Sequence, residues 1–547
     1  MPEQTHTNNS SSGWLTAGYV RLCRLLLVAV LVLVAVVRVR LADLPLERDE
    51  GEYAYAAQLI LGGVPPYKLA YNMKFPGTYI AYALIMLVFG QTPTGIHLGV
   101  TLVTTVTALL LWRLGRNMLD EACGVVAATT YAVLAASPAL LGLAGHATHF
   151  AALFATAGLY VLWPVHRQPR RVRVLLAGLM FGLAILMKQH AAIFCVWGAF
   201  FVWSVCVHWE IPWSNRLHFL VAFSLGALVP FLVTCVVLSH AGVMEQFVFW
   251  TLSYAAEYVR IVPLHKAPHL FFESLKKITE RDQLLWLVGL TGLGAIFLQP
   301  KLHKMRLILF GFCVAAFLTT VPGFYFRRHY FILMLPAVGL LAGCSVSGAC
   351  ELFLRKRCTH LGTLLIIIYG AVLSSDFAQN SDIWFRANPT QASRTIYFGN
   401  PFVEAEVFAR YIQTNSTPEA RVAVLGSEPQ IYFLSRRRSA TGYIYTCPLV
   451  EPHRFADWMQ QQMIHEIESA KPEFVVFVAV PLSWLAWPGS STRIIDWWAN
   501  SYRTNFTLVG VAAMNPPQDT QYLWDDAAIE FGERRQWGLF LYRRLNR

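Results

Sequence analysis

The sequence LCRLLLVAVLVLVAVVRVRLADLPLERDEGEY, residues 22–53, decides the fold of this chain. Its first part, residues 22–44, is an apolar segment long enough to cross the ~30 Å hydrocarbon core of a bilayer. It lacks an Ala-x-Ala-like cleavage site, which indicates a retained span rather than a signal peptide. The acidic cluster that follows places three carboxylates, Asp49, Glu50 and Glu52, within four residues where a membrane helix meets water. This position indicates chemistry at a membrane surface rather than a simple anchor.

The bulk composition is that of a polytopic membrane protein. Of the 547 residues 56% are hydrophobic and only 14% are charged, which is too apolar for an ordinary soluble domain. The formal net charge is +12, but lysine and arginine fall in short clusters between apolar segments, as orientation signals do. Nucleic acid is therefore not an expected partner. The ten cysteines show no paired metal-type spacing, so neither a disulfide framework nor a zinc site is predicted.

Basic connections alternate with apolar segments and predict the topology. With the N-terminus inside, Arg113 and Arg116, the run 166–173, Arg216, the run 301–306 and the run 355–357 all fall on the inner side. The C-terminus and two long loops, 45–93 and 241–282, then fall outside. About eleven spans are predicted, at residues 22–44, 94–112, 121–141, 148–164, 173–187, 190–207, 217–240, 283–299, 305–321, 330–350 and 360–375.

Composition divides the chain into three parts. Residues 1–20 are predicted to be a disordered leader, residues 21–375 a transmembrane domain, and residues 385–547 an extracytoplasmic α/β domain. The last prediction rests on alternating helical and strand patterns, with helices at 403–413 and 453–469 and strands at 422–426 and 474–480. This domain has no GxGxxG or P-loop glycine pattern, so nucleotide binding is not predicted there.

The acidic cluster is predicted to open a short outer helix, residues 49–61. Asp49 and Glu50 would lie in its first turn, where the helix dipole favours an ionised carboxylate. Such a carboxylate suits a general base, or a group that steadies positive charge at a reacting carbon. Simple helix capping is the alternative for Asp49.

Basic residues on the same outer side are candidates to hold an anion. Lys74 is well placed to hold a lipid phosphate, and Lys188, confined to a tight hairpin, is expected to face a polar cavity. Ordinary interfacial anchoring is the alternative for both. Arg327, Arg328 and His329 stand where the topology rule disfavours positive charge. An anionic leaving group would explain them, and salt bridges to the C-terminal domain are the alternative.

Two histidines, His146 and His149, lie one helical turn apart in another outer connection. They could bind a metal or relay a proton, but no third ligand is evident from spacing. Polar lining of a cavity is the preferred interpretation. No cofactor is firmly implied, and a divalent metal remains the weaker alternative.

Four motifs in this order resemble the GT-C class of integral-membrane glycosyltransferases. The chain is similar to the bacterial relatives of protein O-mannosyltransferases and of the transferases that add aminoarabinose or galacturonic acid to lipid A. The likeness covers residues 20–375, and residues 424–437 resemble the extracytoplasmic domain of many such proteins. The motifs are DEGEYA (49–54), KFPG (74–77), GLAILMKQ (182–189) and HYFILMLPA (329–337).

The resemblance implies an inverting transfer from a polyprenyl-phosphate sugar to a lipid, glycan or protein acceptor, on the outer side of a bacterial inner membrane. Asp49 would be the base, with Glu50 as a second catalytic candidate. The donor phosphate would be held by Lys74, Lys188, Arg327, Arg328 and His329. The cavity would be lined by Glu52, Tyr53, His146, His149, Gln189 and Tyr330.

Two departures from the family pattern concern the donor site and the second outer loop. Aminoarabinose transferases carry an arginine where this chain has Glu52, and many relatives place an acidic residue where it has His146 and His149.

A transporter or flippase of lipid-linked glycans is the main alternative function, although no internal repeat of the transporter kind is visible. A non-catalytic assembly protein is a third hypothesis.

Overall fold

The computed structural model describes residues 10–355, 359–517, 519–532 and 537–545. A helical N-terminal part precedes a C-terminal domain that contains a β-sheet. The N-terminal helices are α1 (Ser10–Arg40), α2 (Arg48–Leu61), α3 (Gly77–Phe89), α4 (Pro93–Met118), α5 (Glu121–Leu134), α6 (Ala147–Leu162), α7 (Arg171–Met187), α8 (Ala192–His208), α9 (Trp213–His240), α10 (Met244–Val248), α11 (Ala255–Arg260), α12 (Ala267–Thr279), α13 (Gln283–Leu298), α14 (Arg306–Leu318), α15 (Leu335–Arg355) and α16 (Thr359–Gln379).

Fewer helices can cross a membrane than the eleven predicted from sequence. Among the described residues seven are long and apolar enough, or eight if the pair Leu264–Thr279 and Gln283–Leu298, bent by 116°, is one span. The predicted segments are all helical, but α5, α7 and α14 have only 14, 17 and 13 residues. At 1.5 Å per residue these reach less than the ~30 Å of hydrocarbon. The chain is nevertheless an integral membrane protein with a mainly helical fold.

The predicted leader, residues 1–20, falls only partly within the described residues. Residues 1–9 lie outside them, and α1 begins at Ser10. Disorder of the leader stays a prediction.

The predicted α/β character of the C-terminal domain is confirmed. Its elements are α17 (Pro389–Ile396), α18 (Phe402–Thr414), β1 (Arg421–Leu425), α19 (Gln430–Ser435), β2 (Arg438–Ser439), α20 (Cys447–Val450), α21 (Ala456–Ala470), β3 (Phe474–Val478), α22 (Pro481–Trp484), α23 (Arg493–Asn500), β4 (Phe506–Ala513), β5 (Gln521–Trp524), α24 (Asp525–Phe531) and β6 (Gly538–Arg544). In the described residues the six strands form one sheet in the order β2-β1-β3-β6-β4-β5. Strand β1 runs parallel to β2 and β3, and β6 runs antiparallel to β3 and β4.

Helix α2 of the N-terminal part packs against the C-terminal domain. Its Gly51 lies so close to α19 that a Cβ atom would stand 2.6 Å from the backbone nitrogen of Gln430. Further along α2, the hydroxyl of Tyr55 accepts a hydrogen bond from the backbone N–H of Ser439 at 2.8 Å. The C-terminal domain is therefore packed directly on the helix that carries the acidic cluster.

Replacing Gly51 with alanine is expected to lower the melting temperature of the purified protein. The added methyl would force α2 and α19 apart, and such overpacking costs about 1–3 kcal/mol. The matched control is Gly370→Ala in α16, because a Cβ at Gly370 meets no atom within 4 Å. Equal melting temperatures for the two variants, measured by thermal unfolding in detergent, would contradict the described packing.

Candidate active site

The first turn of α2 is built by a reciprocal cap that fixes the direction of Asp49. Glu47 is the N-cap residue, and its side chain accepts a hydrogen bond from the backbone N–H of Glu50. The carboxylate of Glu50 in turn accepts from the backbone N–H of Glu47. This capping box satisfies two of the open donors at the helix start. Asp49 lies between the two capping residues and is left free to face the cavity.

The two carboxylate oxygens of Asp49 have different surroundings. Its Oδ1 accepts hydrogen bonds from the Lys74 ammonium and from the Tyr445 hydroxyl, both at 2.9 Å. Its Oδ2 stands 3.9 Å from both Nδ1 of His146 and Nε2 of His329. One oxygen is thus held in place, while the other remains available to accept a proton.

Asp49 is ionised at neutral pH. Burial by itself would raise the pKa of this carboxyl group. The positive charge of Lys74 outweighs burial and holds the pKa of this carboxyl group well below its ordinary value. Opposite charge within a few ångströms favours the charged form in this way.

Two further basic side chains, Lys188 and Arg327, line the same cavity as Asp49. The Lys188 ammonium lies 4.3 Å from the centre of the Tyr330 ring, and the Arg327 guanidinium lies 5.2 Å from that of Tyr325. Burial lowers the pKa of Lys188 to about 7, and Asp49 only partly offsets that effect. Lys188 is therefore partly charged at neutral pH, and an anion beside it would favour the charged form.

One cavity of about 480 Å³ collects most of these groups. Residues of the N-terminal helical part and of the C-terminal domain both line it. Seven of the residues proposed from sequence line it: Asp49, Lys74, Lys188, Gln189, Arg327, His329 and Tyr330. This volume falls within the usual range for small-molecule sites, ~300–1,000 Å³.

Glu50 faces away from the cavity, contrary to its expected place as a second catalytic residue. Its side chain is fully buried. It accepts hydrogen bonds from the backbone N–H of Gly145 and pairs with Nε2 of His97 at 3.0 Å. These contacts tie α2 to the neighbouring helices, which is a structural task.

Glu52 and Tyr53 lie beneath the cavity rather than in its wall. Glu52 accepts hydrogen bonds from Lys74 at 2.6 Å and from the Tyr79 hydroxyl at 2.7 Å. The Tyr53 ring lies 4.5 Å from the Lys74 ammonium. Lys74 is thus paired with two carboxylates, Asp49 and Glu52, so much of its charge is already neutralised. The geometry favours Lys74 as a holder of Asp49 over Lys74 as the main phosphate ligand.

Two further predicted residues are also directed elsewhere. His149 is fully buried, with its Nε2 3.1 Å from the backbone carbonyl of Gly142. Arg328 does not line the cavity and stands instead near Tyr397 of the C-terminal domain. A position near the C-terminal domain agrees with the alternative predicted for Arg328 from sequence.

The C-terminal domain supplies cavity residues that sequence analysis missed. Tyr445 and Glu451 line the same space as Asp49, and Glu451 accepts a hydrogen bond from the Tyr254 hydroxyl at 2.7 Å. Arg48 holds this domain in place, because its guanidinium donates to the backbone carbonyl of Ser427 at 2.7 Å and pairs with Glu428 at 3.2 Å.

Asp49, His146 and His329 form a group that fits a metal ion. One donor atom from each lies within 4.8 Å of the others. The His146 and His329 rings stack with centroids 4.2 Å apart, and both ring nitrogens of His146 are buried without a hydrogen-bond partner among the described residues. Burial lowers the pKa of His146 to about 4, which leaves the neutral imidazole that a metal requires. His329 is the third donor that spacing could not reveal. A bound divalent cation would stabilise negative charge on a phosphate or an oxyanion.

Long apolar helices, with a polar cavity between them and an α/β domain, define an integral membrane protein. Residues 74–236 match the family model of dolichyl-phosphate-mannose-protein mannosyltransferases. No curated protein sequence matches the chain.

Solved structures show the same fold over nearly the whole chain. ArnT from Cupriavidus metallidurans bound to undecaprenyl phosphate superposes with a TM-score of 0.60 and 15% identity, over 95% of this chain and 98% of that one. ArnT in the apo state gives 0.56 and 14%, over 98% and 99%. AglB, the oligosaccharyltransferase of Archaeoglobus fulgidus, in complex with an inhibitory peptide and a dolichol-phosphate, gives 0.51 and 11%, over 91% and 74%. The fold is thus that of the GT-C glycosyltransferases, as the resemblance predicted.

Proposed function

We propose that this protein is an inverting glycosyltransferase that moves a sugar from a polyprenyl-phosphate donor to an acceptor on the outer side of the membrane. The observation that carries the proposal is one cavity lined by Asp49, Lys188 and Arg327. A base and an anion-binding pair in one cavity are what displacement of a phosphate from a sugar needs. This choice of donor is supported by ArnT, which was solved bound to undecaprenyl phosphate, and by AglB, which was solved in complex with a dolichol-phosphate.

The proposed reaction is a single displacement. The acceptor hydroxyl gives its proton to Oδ2 of Asp49 while its oxygen bonds to the anomeric carbon from the face opposite the phosphate. The bond between the anomeric carbon and the phosphate oxygen breaks, and polyprenyl phosphate leaves with the electron pair. Lys188 and Arg327 stabilise the charge that develops on that phosphate. The anomeric configuration is inverted as a result.

Two neighbours orient the base for this step. Lys74 and Tyr445 both hold Oδ1 of Asp49, so the free oxygen is directed toward the histidine pair and the cavity. Charge-assisted hydrogen bonds of this kind are short and directional. The C-terminal domain thus takes part in the site directly, through Tyr445, in addition to covering it.

The basic connections support an outer location for the reaction. Five connections with arginine or lysine alternate along the chain with the connections that carry the cavity residues, and such basic connections are typical of cytoplasmic loops. We therefore assign the N-terminus to the cytoplasm and the C-terminal domain to the outer side. The acceptor would be a lipid, a glycan or a protein that reaches this surface.

A reconstituted assay tests the proposal. The purified full-length protein is incorporated into lipid nanodiscs with polyprenyl-phosphate-linked sugars and with candidate lipid, glycan and peptide acceptors. We expect free polyprenyl phosphate to be released together with a glycosylated acceptor. A transporter would instead move the intact donor across vesicles and release none, and that outcome would overturn the proposal.

Donor binding is expected to weaken as the pH rises through 7. Lys188, whose pKa lies near 7 in the empty cavity, is charged below that pH and neutral above it. The donor phosphodiester keeps one negative charge throughout, so binding above pH 7 requires proton uptake by Lys188. Affinity should then fall by up to about tenfold for each pH unit above 7 and stay nearly constant below it. Lys188→Arg is the control, because arginine remains charged and should remove this dependence. An identical pH profile in both proteins would contradict the assignment of Lys188.

A further inference from the structure

A second buried polar cluster lies at the corner between α12 and α13, apart from the cavity. Its members are Ser137, Asp282, Asp376 and Asn380, and none of them is more than 2% exposed. They come from three regions of the sequence: the turn after α5, the start of α13 and the end of α16. None of the four lines the cavity around Asp49.

The side chain of Asp282 is drawn into this cluster and away from its own helix. Asp282 is the N-cap residue of α13, where an aspartate ordinarily accepts a hydrogen bond from its own first turn, but it makes no such bond. Its Oδ2 instead accepts from the Ser137 hydroxyl, and its Oδ1 accepts from the Asn380 side-chain amide at 2.9 Å. Asp282 therefore bonds to Ser137 and Asn380 instead of capping its own helix.

Two oxygen acceptors in the cluster lack a partner. The Asp376 carboxyl lies within hydrogen-bonding reach of the Asp282 carboxyl. Its Oδ2 and the Oδ1 of Asn380 are buried without a hydrogen-bond donor among the described residues. The Asn380 amide cannot be reversed to remedy this, because its nitrogen already donates to Asp282 and to the backbone carbonyl of Asp376 at 3.0 Å.

No basic side chain in the described part of the protein forms an ion pair with either carboxylate. Arg281, the residue next to Asp282, is near enough for its charge to act on Asp282, but its guanidinium donates to Asp382 at 2.7 and 2.9 Å and to the backbone carbonyl of Gln379 at 3.2 Å. Burying two carboxylates without an ion-pair partner is strongly unfavourable. One shared proton would leave a negative charge and would still leave the oxygen of Asn380 without a donor.

We propose that Ser137, Asp282, Asp376 and Asn380 bind one divalent cation of the calcium and magnesium class. The available donors are all oxygen atoms, namely two carboxylates, an amide carbonyl and a hydroxyl, and such hard cations prefer this set. Two carboxylates also match the charge of a divalent ion. The site is separate from the group Asp49, His146 and His329, whose imidazole nitrogens suit other metals.

The cation would stabilise the segments that support the wall of the cavity. It would join the start of α13 to the end of α16 and to the short turn Pro138–Leu140, which contacts the segment Arg328–Met334. His329 and Tyr330 lie in that segment and face the cavity. Loss of the cation should therefore lower stability.

The test uses full-length protein carrying His146→Ala, which removes the other candidate metal group. After treatment with EDTA and its removal, calcium or magnesium chloride is titrated while bound metal is measured by equilibrium dialysis and unfolding by a thermal melt. We expect about one equivalent of calcium or magnesium to bind and the melting temperature to rise with concentration, as ligand linkage requires.

Two further variants locate the ion. Adding Asp376→Asn should weaken binding at least about tenfold, because a charged oxygen ligand is lost. Adding Asp43→Asn, which removes an exposed carboxylate outside the cluster, should leave binding unchanged. If the His146→Ala protein bound neither cation, the proposal would be overturned whether or not the Asp376 variant folds. Stability that depends on pH but not on either cation would also overturn it, in favour of a shared proton. Equal binding by the Asp376 and Asp43 variants would overturn it as well.

Discussion

Asp49→Asn is expected to reduce the rate of sugar transfer by about 10²–10⁴-fold, the range for loss of a general base. Asparagine has nearly the same shape and can still accept the Tyr445 hydrogen bond, so the cavity should remain intact. It cannot take the acceptor proton. The rate is measured in a single turnover with donor bound in advance, so that the chemical step is observed.

Donor affinity separates this loss of chemistry from misfolding. Removing a negative charge near the phosphate should leave donor binding unchanged or make it tighter. Asp43→Asn is the matched control, because this carboxylate also follows α1 but is exposed and bonds only to Thr94, at 3.2 Å, among the described residues. Transfer by the Asp49 variant at the rate of the Asp43 variant would remove Asp49 from the mechanism.

Arg327→Gln is expected to weaken donor binding about tenfold or more, up to about 150-fold. The estimate follows from ~1.5–3 kcal/mol for a hydrogen bond to a charged group and 1.4 kcal/mol for each factor of ten. Arg327 and Lys188 line the same cavity, and Arg327 also contacts Tyr258. Glutamine at position 327 would keep part of the contact with Tyr258 but would lose the positive charge. Binding is measured with a labelled polyprenyl-phosphate sugar in nanodiscs.

The neighbouring residue provides a sharp control. Arg328→Gln makes the same chemical change one position along the chain, but Arg328 is directed to the C-terminal domain near Tyr397. Its variant should bind donor within about twofold of the original protein, as substitutions away from a site usually do. Equal loss of donor affinity in the two arginine variants would contradict the assignment of Arg327, rather than Arg328, to the donor phosphate.

The sequence predicts much of the site because its main residues follow membrane exits. Asp49, Lys188, Gln189 and Arg327 each come at or near the outer end of an apolar segment, and topology alone brings such positions to one surface. The general fold followed from the same pattern of apolar segments. The number of spans did not, because a segment of 13–17 residues can be helical without crossing the membrane.

The direction of single side chains was harder to predict. Glu50 looked equivalent to Asp49, yet the spacing of Glu47 and Glu50 is that of a capping box, a signal that was present in the sequence. Arg327 and Arg328 differ only in which way each leaves the chain. Tyr445 stands 396 residues from Asp49 in a domain without a recognised motif, so its contact could be learned only from the folded chain.

The direct test of the central claim is the position of the donor phosphate, measured by cryo-electron microscopy of the full-length protein in nanodiscs with polyprenyl phosphate. We predict that the phosphate density lies in the cavity within ~4–6 Å of the Lys188 ammonium and the Arg327 guanidinium, the distance over which opposite charges interact strongly. The carboxylate of Asp49 should lie on the opposite side of the space left for the sugar. Phosphate density outside this cavity, or on the same side as Asp49 with no room for a sugar between them, would contradict the account.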